Sequence, residues 1–149
     1  MNSTACHARV NELLIAAGRG LLQYVGECWP WSSIGDSDLR NELEGLVKRQ
    51  QNDVARLVNH LASQRWPIDF SNYPTEFTDK HFLSIDFLLP QILENEAAIR
   101  ANCENALPTC QEDAELTELL RQILANEIDG IDRLKKLCEP RNAPCATAR

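Results

Sequence analysis

The chain has 149 residues, enough for one domain with a hydrophobic core, and its formal net charge of −7 reflects 22 acidic against 15 basic side chains. This acidic balance, with no basic run, argues against nucleic acid or an anionic membrane surface as a partner. The longest early apolar stretch, Leu13 to Ala17, is too short to span a bilayer and lacks the flanks of a signal peptide. We therefore expect a cytoplasmic protein.

Hydrophobic residues recur with helical spacing through nearly the whole chain, and no alternating strand pattern stands out. The first helix is predicted from Arg9 to Cys28. A second helix, capped by Asp36 or Ser37, is predicted to run to about Arg65. Both helices carry an apolar stripe, which predicts that they pack side by side.

The connection that follows, around fifteen residues ending at about Thr78, is longer than neighbouring antiparallel helices need. Its length suits a crossover along the side of a helical bundle. The third helix is predicted from Thr78 to about Leu107, with a kink at Pro90.

The fourth helix is predicted to follow Pro108, because Thr109 and Glu112 have the spacing of a capping box. Its apolar ladder ends at Leu137, and residues 139–149 are predicted to form a disordered tail. The sequence thus predicts an all-α protein with a single domain, residues 1–138. The order of short loop, long crossover and short loop is typical of a four-helix bundle with ferritin-like connectivity.

A family resemblance supports this fold. The segment from Tyr73 to Pro90, YPTEFTDKHFLSIDFLLP, is similar to the crossover and the third-helix start of one small group of bacterial ferritin-like proteins. Over residues 8–138 the chain resembles the ferritin-like superfamily, which includes rubrerythrins and bacterioferritins. The resemblance implies the bundle fold and brings no established activity with it.

Di-iron proteins of that superfamily take one glutamate from each of two helices and a Glu-x-x-His pair from each of the other two. Glu127 matches the glutamate of the fourth-helix pair, and Gly130 stands in place of its histidine. Glu96, with Glu94 as the alternative, matches the single glutamate of the third helix. The ligands expected from the third and fourth helices are therefore incomplete, because the histidine of the fourth-helix pair is missing.

The first two helices depart further from the ligand pattern. Ala17, or Gly18 in the alternative register, occupies the position of the first-helix glutamate. Gln50 and Asp53 stand where the second Glu-x-x-His pair is expected. The resemblance therefore implies a degenerate site without histidine.

Burial of ionised carboxylates without a partner is costly, so Glu96 and Glu127 require a proton, a hydrogen-bond donor or a metal ion. In one interpretation they are protonated or bonded to Gln50 or to the Tyr24 hydroxyl group, and the protein has a structural or protein-interaction role without a cofactor. In the alternative, Glu96, Glu127, Gln50 and Asp53 form a residual iron or manganese site in a metal-binding protein or oxidoreductase.

Two further hypotheses concern partners. The apolar surface of the fourth helix is wider than one packing seam needs, which favours a homodimer. The residues that widen it are Leu119, Leu124, Ile128 and Ile131. Missing side-chain volume at Gly18, Gly20 and Gly130 would instead suit a small-molecule carrier.

The six cysteines include no Cys-x-x-Cys pair. Cys103 and Cys110, like Cys138 and Cys145, are separated by about 10 Å on a continuous helix, too far for a disulfide. We therefore expect reduced thiols, with Cys28 and Cys103 in or near the core. The three histidines, His7, His60 and His81, are expected at the surface.

Overall fold

The computed structural model describes residues 2–29, 37–80 and 83–147, and the long elements in these ranges are all helices. The five α-helices found there are α1 (Asn2–Gly18), α2 (Leu21–Glu27), α3 (Ser37–Ser63), α4 (Ile85–Thr109) and α5 (Ala114–Thr147). A turn of 3-10 helix, Thr75–Phe77, lies in the connection between α3 and α4. The predicted all-α class is confirmed. No helix in the described part of the chain combines the length and apolarity needed to cross a membrane.

The largest contacts between helices link α1 with α3 and α4, and link α5 with the same two helices. The short α2 also packs against α3 and α4. Residues 69–71, in the connection between α3 and α4, lie along α1, because the side chains of Asn11 and Arg19 hydrogen-bond to their backbone. Helices α3, α4 and α5 thus bring their apolar stripes together with α1 and α2.

The prediction of one continuous first helix was wrong, since the helix is interrupted at Gly20. Gly20 has extended backbone angles (φ −77°, ψ 169°), and the Leu21 amide donates to the side-chain oxygen of Asn95 at 3.0 Å. A Cβ atom at Gly20 would lie 2.7 Å from the Ala16 carbonyl oxygen. The interruption therefore depends on glycine. It allows the Asn95 side chain of α4 to cap the first turn of α2 by accepting a hydrogen bond.

The predicted ends of the later helices also shift. Ser84 caps α4, because its hydroxyl accepts from the Phe87 amide, so this helix begins later than Thr78. The predicted capping box of α5 was wrong: the cap is Asp113, whose carboxylate accepts from the Leu116 amide at 3.0 Å. The proposed cap at Asp36 lies outside the described residues. The backbone of α5 continues to Thr147, and the disorder expected for residues 139–149 stays a prediction.

Two apolar clusters fill the interior. One surrounds Leu13 and Ile99, and the other surrounds Leu43 and Ile92. On α3, α4 and α5, the residues between these clusters include the buried polar side chains Gln50, Glu96 and Glu127, in that order. The candidate site is therefore in the middle of the core, with apolar packing on both sides.

A disulfide joins Cys6 in α1 to Cys110 after α4, with their Cα atoms 5.0 Å apart. The expectation of reduced thiols was wrong for this pair, because spacing arguments compare cysteines on one helix and miss those that folding brings together. Cys103 is a buried free thiol, as predicted. Cys28 is exposed, and its predicted place in or near the core was wrong.

Candidate functional site

The site is a hydrogen-bonded group of two glutamines and two glutamates, all buried. Gln23 comes from α2, Gln50 from α3, Glu96 from α4 and Glu127 from α5. Each side chain is therefore held by a different helix. The predicted candidates Gln50, Glu96 and Glu127 do come together, and Gln23 completes the group.

Gln50 is the centre of this network. Its Nε2 amide donates to Oε1 of Glu96 and to Oε1 of Glu127, each at 2.9 Å. Its Oε1 atom accepts from Nε2 of Gln23 at 2.9 Å. One side-chain amide thus contacts both acids on one side and a second amide on the other.

The direction of these bonds follows from a backbone atom. Nε2 of Gln23 also donates to the carbonyl oxygen of Val47 at 3.1 Å. A carbonyl only accepts, so the Gln23 amide must present its nitrogen on this side. The Gln50 group that it meets must then be the oxygen, which leaves the Gln50 nitrogen facing the two acids.

The burial and the closeness of the two glutamates favour a single proton shared between them. Oε2 of Glu96 and Oε2 of Glu127 are buried and receive no hydrogen bond from the described residues in their ionised form. Burial raises the pKa of Glu96 well above its usual range, and the adjacent Glu127 carboxyl group raises this pKa further. Burial also raises the pKa of Glu127, against hydrogen bonds from Glu96 and Gln50. A proton held between the carboxyl groups supplies the missing donor.

Asp53 is buried beside this pair and has its own partners. Nδ2 of Asn126 donates to both of its oxygens, at 3.1 and 3.2 Å, and Nη1 of Arg56 lies 3.4 Å from Oδ1. Burial raises the pKa of Asp53, and the hydrogen bond from Asn126 and the charges of Arg56 and Arg49 oppose that shift. Asp53 is thus next to the glutamate pair and is bonded to other groups.

Arg49 covers the site on the side of Gly130. Its Nη1 and Nη2 atoms bind Oδ2 of Asp129 at 2.9 Å and the Asn126 carbonyl at 2.8 Å. A Cβ atom at Gly130 would lie 3.4 Å from Nη2, so the guanidinium group occupies the space that a larger residue would need. Arg49 therefore brings a positive charge to the edge of the buried acid pair.

A cavity of about 10 Å³ remains between these groups. The polar groups that border it are Arg49, Gln50, Asp53, Glu96, Asn126 and Glu127. This is about the smallest volume in which one water molecule fits. This cavity is too small for a substrate. Beside Gly18, Gly20 and Gly130, where the carrier hypothesis places missing volume, neighbouring atoms come within 4 Å of the position that a Cβ atom would take.

The residues present do not fit the di-iron ligand set of ferritin-like proteins. Ala17 packs in the apolar cluster and brings no ligand, and the alternative acid Glu94 is exposed. Gln50 presents its N–H donors to the glutamates, whereas a cation needs oxygen donors. Within residues 2–29, 37–80 and 83–147, no three His, Cys, Asp or Glu side chains are grouped to hold a metal ion.

A second polar pair was not predicted from the sequence. His60 was expected at the surface, but it is buried, and its Nε2 atom lies 2.9 Å from Oδ2 of Asp113. Partial burial of Asp113 favours a higher pKa, yet hydrogen bonds from the Leu116 amide and from His60 lower it overall. The pair therefore links the end of α3 to the cap of α5. His81 lies outside the described residues.

Comparison of the chain with protein-family models, with curated proteins and with solved structures found no match.

Proposed function

We propose that this protein is a ferritin-like four-helix bundle with a structural or protein-interaction role, in which a hydrogen-bonded acid pair replaces a metal centre. The contacts of α1 and α5 with both α3 and α4, together with the long connection of residues 64–84, support the bundle arrangement. In this arrangement α1 and α2 together form the first helix of the bundle.

The direction of the Gln50 amide is the observation that carries the proposal. Its nitrogen donates to both Glu96 and Glu127, so positive hydrogen atoms occupy the position between the two acids. A divalent cation bound by these oxygens would have to displace that amide. Gln50 cannot turn its oxygen inwards without placing two N–H groups, its own and that of Gln23, against each other.

The balance of charge supports the same conclusion. With one proton on the glutamate pair, that pair and Asp53 together carry two negative charges. Arg49 and Arg56 bring two positive charges to the same region. Asp129, which also binds Arg49, has a second cationic partner in Arg133. The acids are thus neutralised by side chains of the protein, and a dication would add charge that nothing compensates.

Metal analysis of a designed variant tests this proposal. Gln50→Glu replaces the amide donor with a third carboxylate at the same position. Because carboxylates are the preferred ligands of hard cations, we expect this variant to gain about one manganese or iron ion per chain, against less than roughly 0.1 in the wild type. Protein prepared without chelators is measured by elemental mass spectrometry, after incubation with each metal and desalting.

The matched control is Gln51→Glu, which makes the same change of charge at the exposed neighbouring residue. This control is expected to bind as little metal as the wild type. Metal bound at close to one ion per chain by the wild type would contradict the proposal and favour the alternative, an atypical iron or manganese protein.

Association with a second copy of the chain is the other part of the proposal. Ile128 on α5 is 41% exposed, and the nearby Leu124 is half-buried. Ile131, which was predicted to widen this surface, is buried within the chain itself. We expect Ile128→Lys to shift a homodimer to monomer in sedimentation equilibrium at micromolar concentration. A wild-type protein that sediments only as monomer would refute a homodimer.

A further inference from the structure

The disulfide closes one end of the helical core and is independent of the proposed function. Cys6 is in the second turn of α1, and Cys110 follows α4, 104 residues later. Both cysteines belong to the apolar cluster that also contains Val10 and Leu116. The bond therefore fixes the first turns of α1 to the junction between α4 and α5.

The same turns of α1 hold the connection that follows α3. A ring nitrogen of His7 lies 2.6 Å from the Pro67 carbonyl oxygen, and the His7 ring stacks near Trp66 with centroids 5.1 Å apart. Asn11 and Asp69 exchange two hydrogen bonds, of 3.0 and 3.2 Å. These polar contacts are exposed to solvent, so they depend on α1 staying in place.

This segment is also strained at both ends. Arg65 and Ser71 have positive φ angles of 58° and 55°, although neither is glycine. Such backbone conformations cost free energy for residues with a side chain and persist where the surroundings impose them. Residues 66–70 therefore lie between two strained backbone positions.

A cleft borders the bond, whose two cysteines, Cys6 and Cys110, are 4% and 2% exposed. It has a volume of about 180 Å³, and both Cys6 and Cys110 line it together with Trp66. The acidic side chains of Glu112 and Asp113 are on its wall, which disfavours anionic thiols. The Thr109 hydroxyl lies 3.7 Å from the Cys110 sulfur.

We propose that the Cys6–Cys110 bond is a redox latch, which a dithiol entering this cleft opens to release residues 66–70 while the helical core stays folded. In the first step a thiolate of the dithiol attacks one sulfur, the disulfide breaks, and the other cysteine leaves as a thiolate that takes up a proton. The second thiol of the reagent, as a thiolate, then attacks the mixed disulfide, and the second cysteine leaves as a thiolate that takes up a proton. Two electrons pass to the protein, and the dithiol becomes a disulfide.

The state of the latch depends on the cellular compartment in which the protein is found. Disulfides persist in oxidising compartments, and in reducing ones they are usually transient or redox-sensing. In the cytoplasm expected from the sequence, the bond would therefore open and close with redox conditions.

Limited proteolysis with trypsin tests the latch on the full chain. The wild type is compared before and after treatment with dithiothreitol, a neutral dithiol, and thiols are counted in denaturant. We expect two more thiols after reduction, cleavage after Arg65 faster by about tenfold or more, and cleavage after Lys136 at an unchanged rate. Reoxidation should restore slow cleavage after Arg65.

Two variants complete the experiment. Cys6→Ser with Cys110→Ser should be cleaved quickly after Arg65 whether or not dithiothreitol is present, with helical circular dichroism like that of the wild type. Cys28→Ser, which removes an exposed free thiol, should behave like the wild type. An unchanged thiol count, an unchanged cleavage rate after Arg65, or equal acceleration at Arg65 and Lys136 would overturn the proposal, as would unfolding of the double variant.

Discussion

The raised pKa of the buried Glu96 makes the free energy of unfolding depend on pH. Burial raises the pKa of Glu96 well above its value of about 4.3 in an unfolded chain. The folded protein thus keeps the proton of this carboxyl group at pH values where the unfolded chain has lost it. The resulting stability is fully present below about pH 4.3 and is lost as the pH rises through the folded pKa, with a slope of at most about 1.4 kcal/mol per pH unit.

Replacing Glu96 with glutamine should remove this pH dependence. The amide of Glu96→Gln has the shape of the protonated acid and supplies a permanent donor to Glu127. Urea denaturation between about pH 5 and pH 8 should then give a flatter free energy of unfolding than in the wild type, with higher stability at the alkaline end. Glu94→Gln, at an exposed position of the same helix, is the control and should keep the wild-type slope. Equal slopes in all three proteins would argue against a shared proton.

The sequence predicted three of the four members of this cluster and missed the fourth for a geometric reason. Gln50, Glu96 and Glu127 follow the apolar stripe of uninterrupted helices, so helical spacing places them inside. Gln23 comes after the interruption at Gly20, where the spacing of α1 no longer applies. The stripe extended from α1 had pointed to Tyr24, whose hydroxyl instead donates to the Thr78 carbonyl oxygen at 3.4 Å.

At the scale of the helices, two glycines have opposite roles. Gly20 ends the first helical segment, and a Cβ atom there would lie 2.9 Å from the Asn95 side-chain oxygen and 2.7 Å from the Ala16 carbonyl oxygen. Gly45 is exposed in the first half of α3, and a Cβ atom there would meet none of the described residues within 4 Å beyond the backbone of its own helix. One glycine is required by contacts, and the other only lowers helix propensity.

Alanine substitution should separate these two roles. Gly20→Ala is expected to lower the free energy of unfolding by about 1–3 kcal/mol, because the backbone or Asn95 must move. Gly45→Ala should raise it by about 0.5–1 kcal/mol, because alanine favours the helix. Chemical denaturation of both variants under one condition provides the measurement. A gain in stability for Gly20→Ala would mean that α1 and α2 can join into one helix without cost.

The presence of the long helices could thus be predicted from the sequence, whereas several of their ends could not. The caps at Ser84 and Asp113 use single side chains whose neighbours offer equally good candidates, so local spacing could not choose among them. Asp113 is further selected by His60, a residue 53 positions away that folding places beside it. Such a choice depends on tertiary contacts, which helical periodicity does not contain.

At the scale of the whole molecule, the disulfide should contribute strongly to stability. Because it joins residues 104 positions apart, the chain-entropy argument gives about 4–5 kcal/mol. We expect Cys6→Ser to lower the Tm by roughly 10 °C in thermal denaturation without reductant. Adding dithiothreitol should bring the wild type to the same Tm. Cys28→Ser should leave the Tm unchanged, and a wild-type Tm insensitive to dithiothreitol would contradict this account.

The all-helical class followed from the sequence because the helical period persists along most of the chain. The disulfide did not, because pairing of Cys6 with Cys110 depends on how α1 lies against α4. Arg49 was not predicted as a residue of the site for a similar reason. Its Cα atom lies off the apolar stripe, and only its long side chain reaches the site. Long-range pairing and long side chains are what one-dimensional spacing leaves out.

The orientation of the whole cluster is determined by the carbonyl group of Val47. This atom belongs to the main chain of α3, so no amino-acid substitution deletes it. Any residue at position 47 that preserves the helix still sets the orientation of the Gln23 amide and, through it, that of the Gln50 amide. The part of the site that mutation can change least is therefore a main-chain atom, which every amino acid at this position supplies.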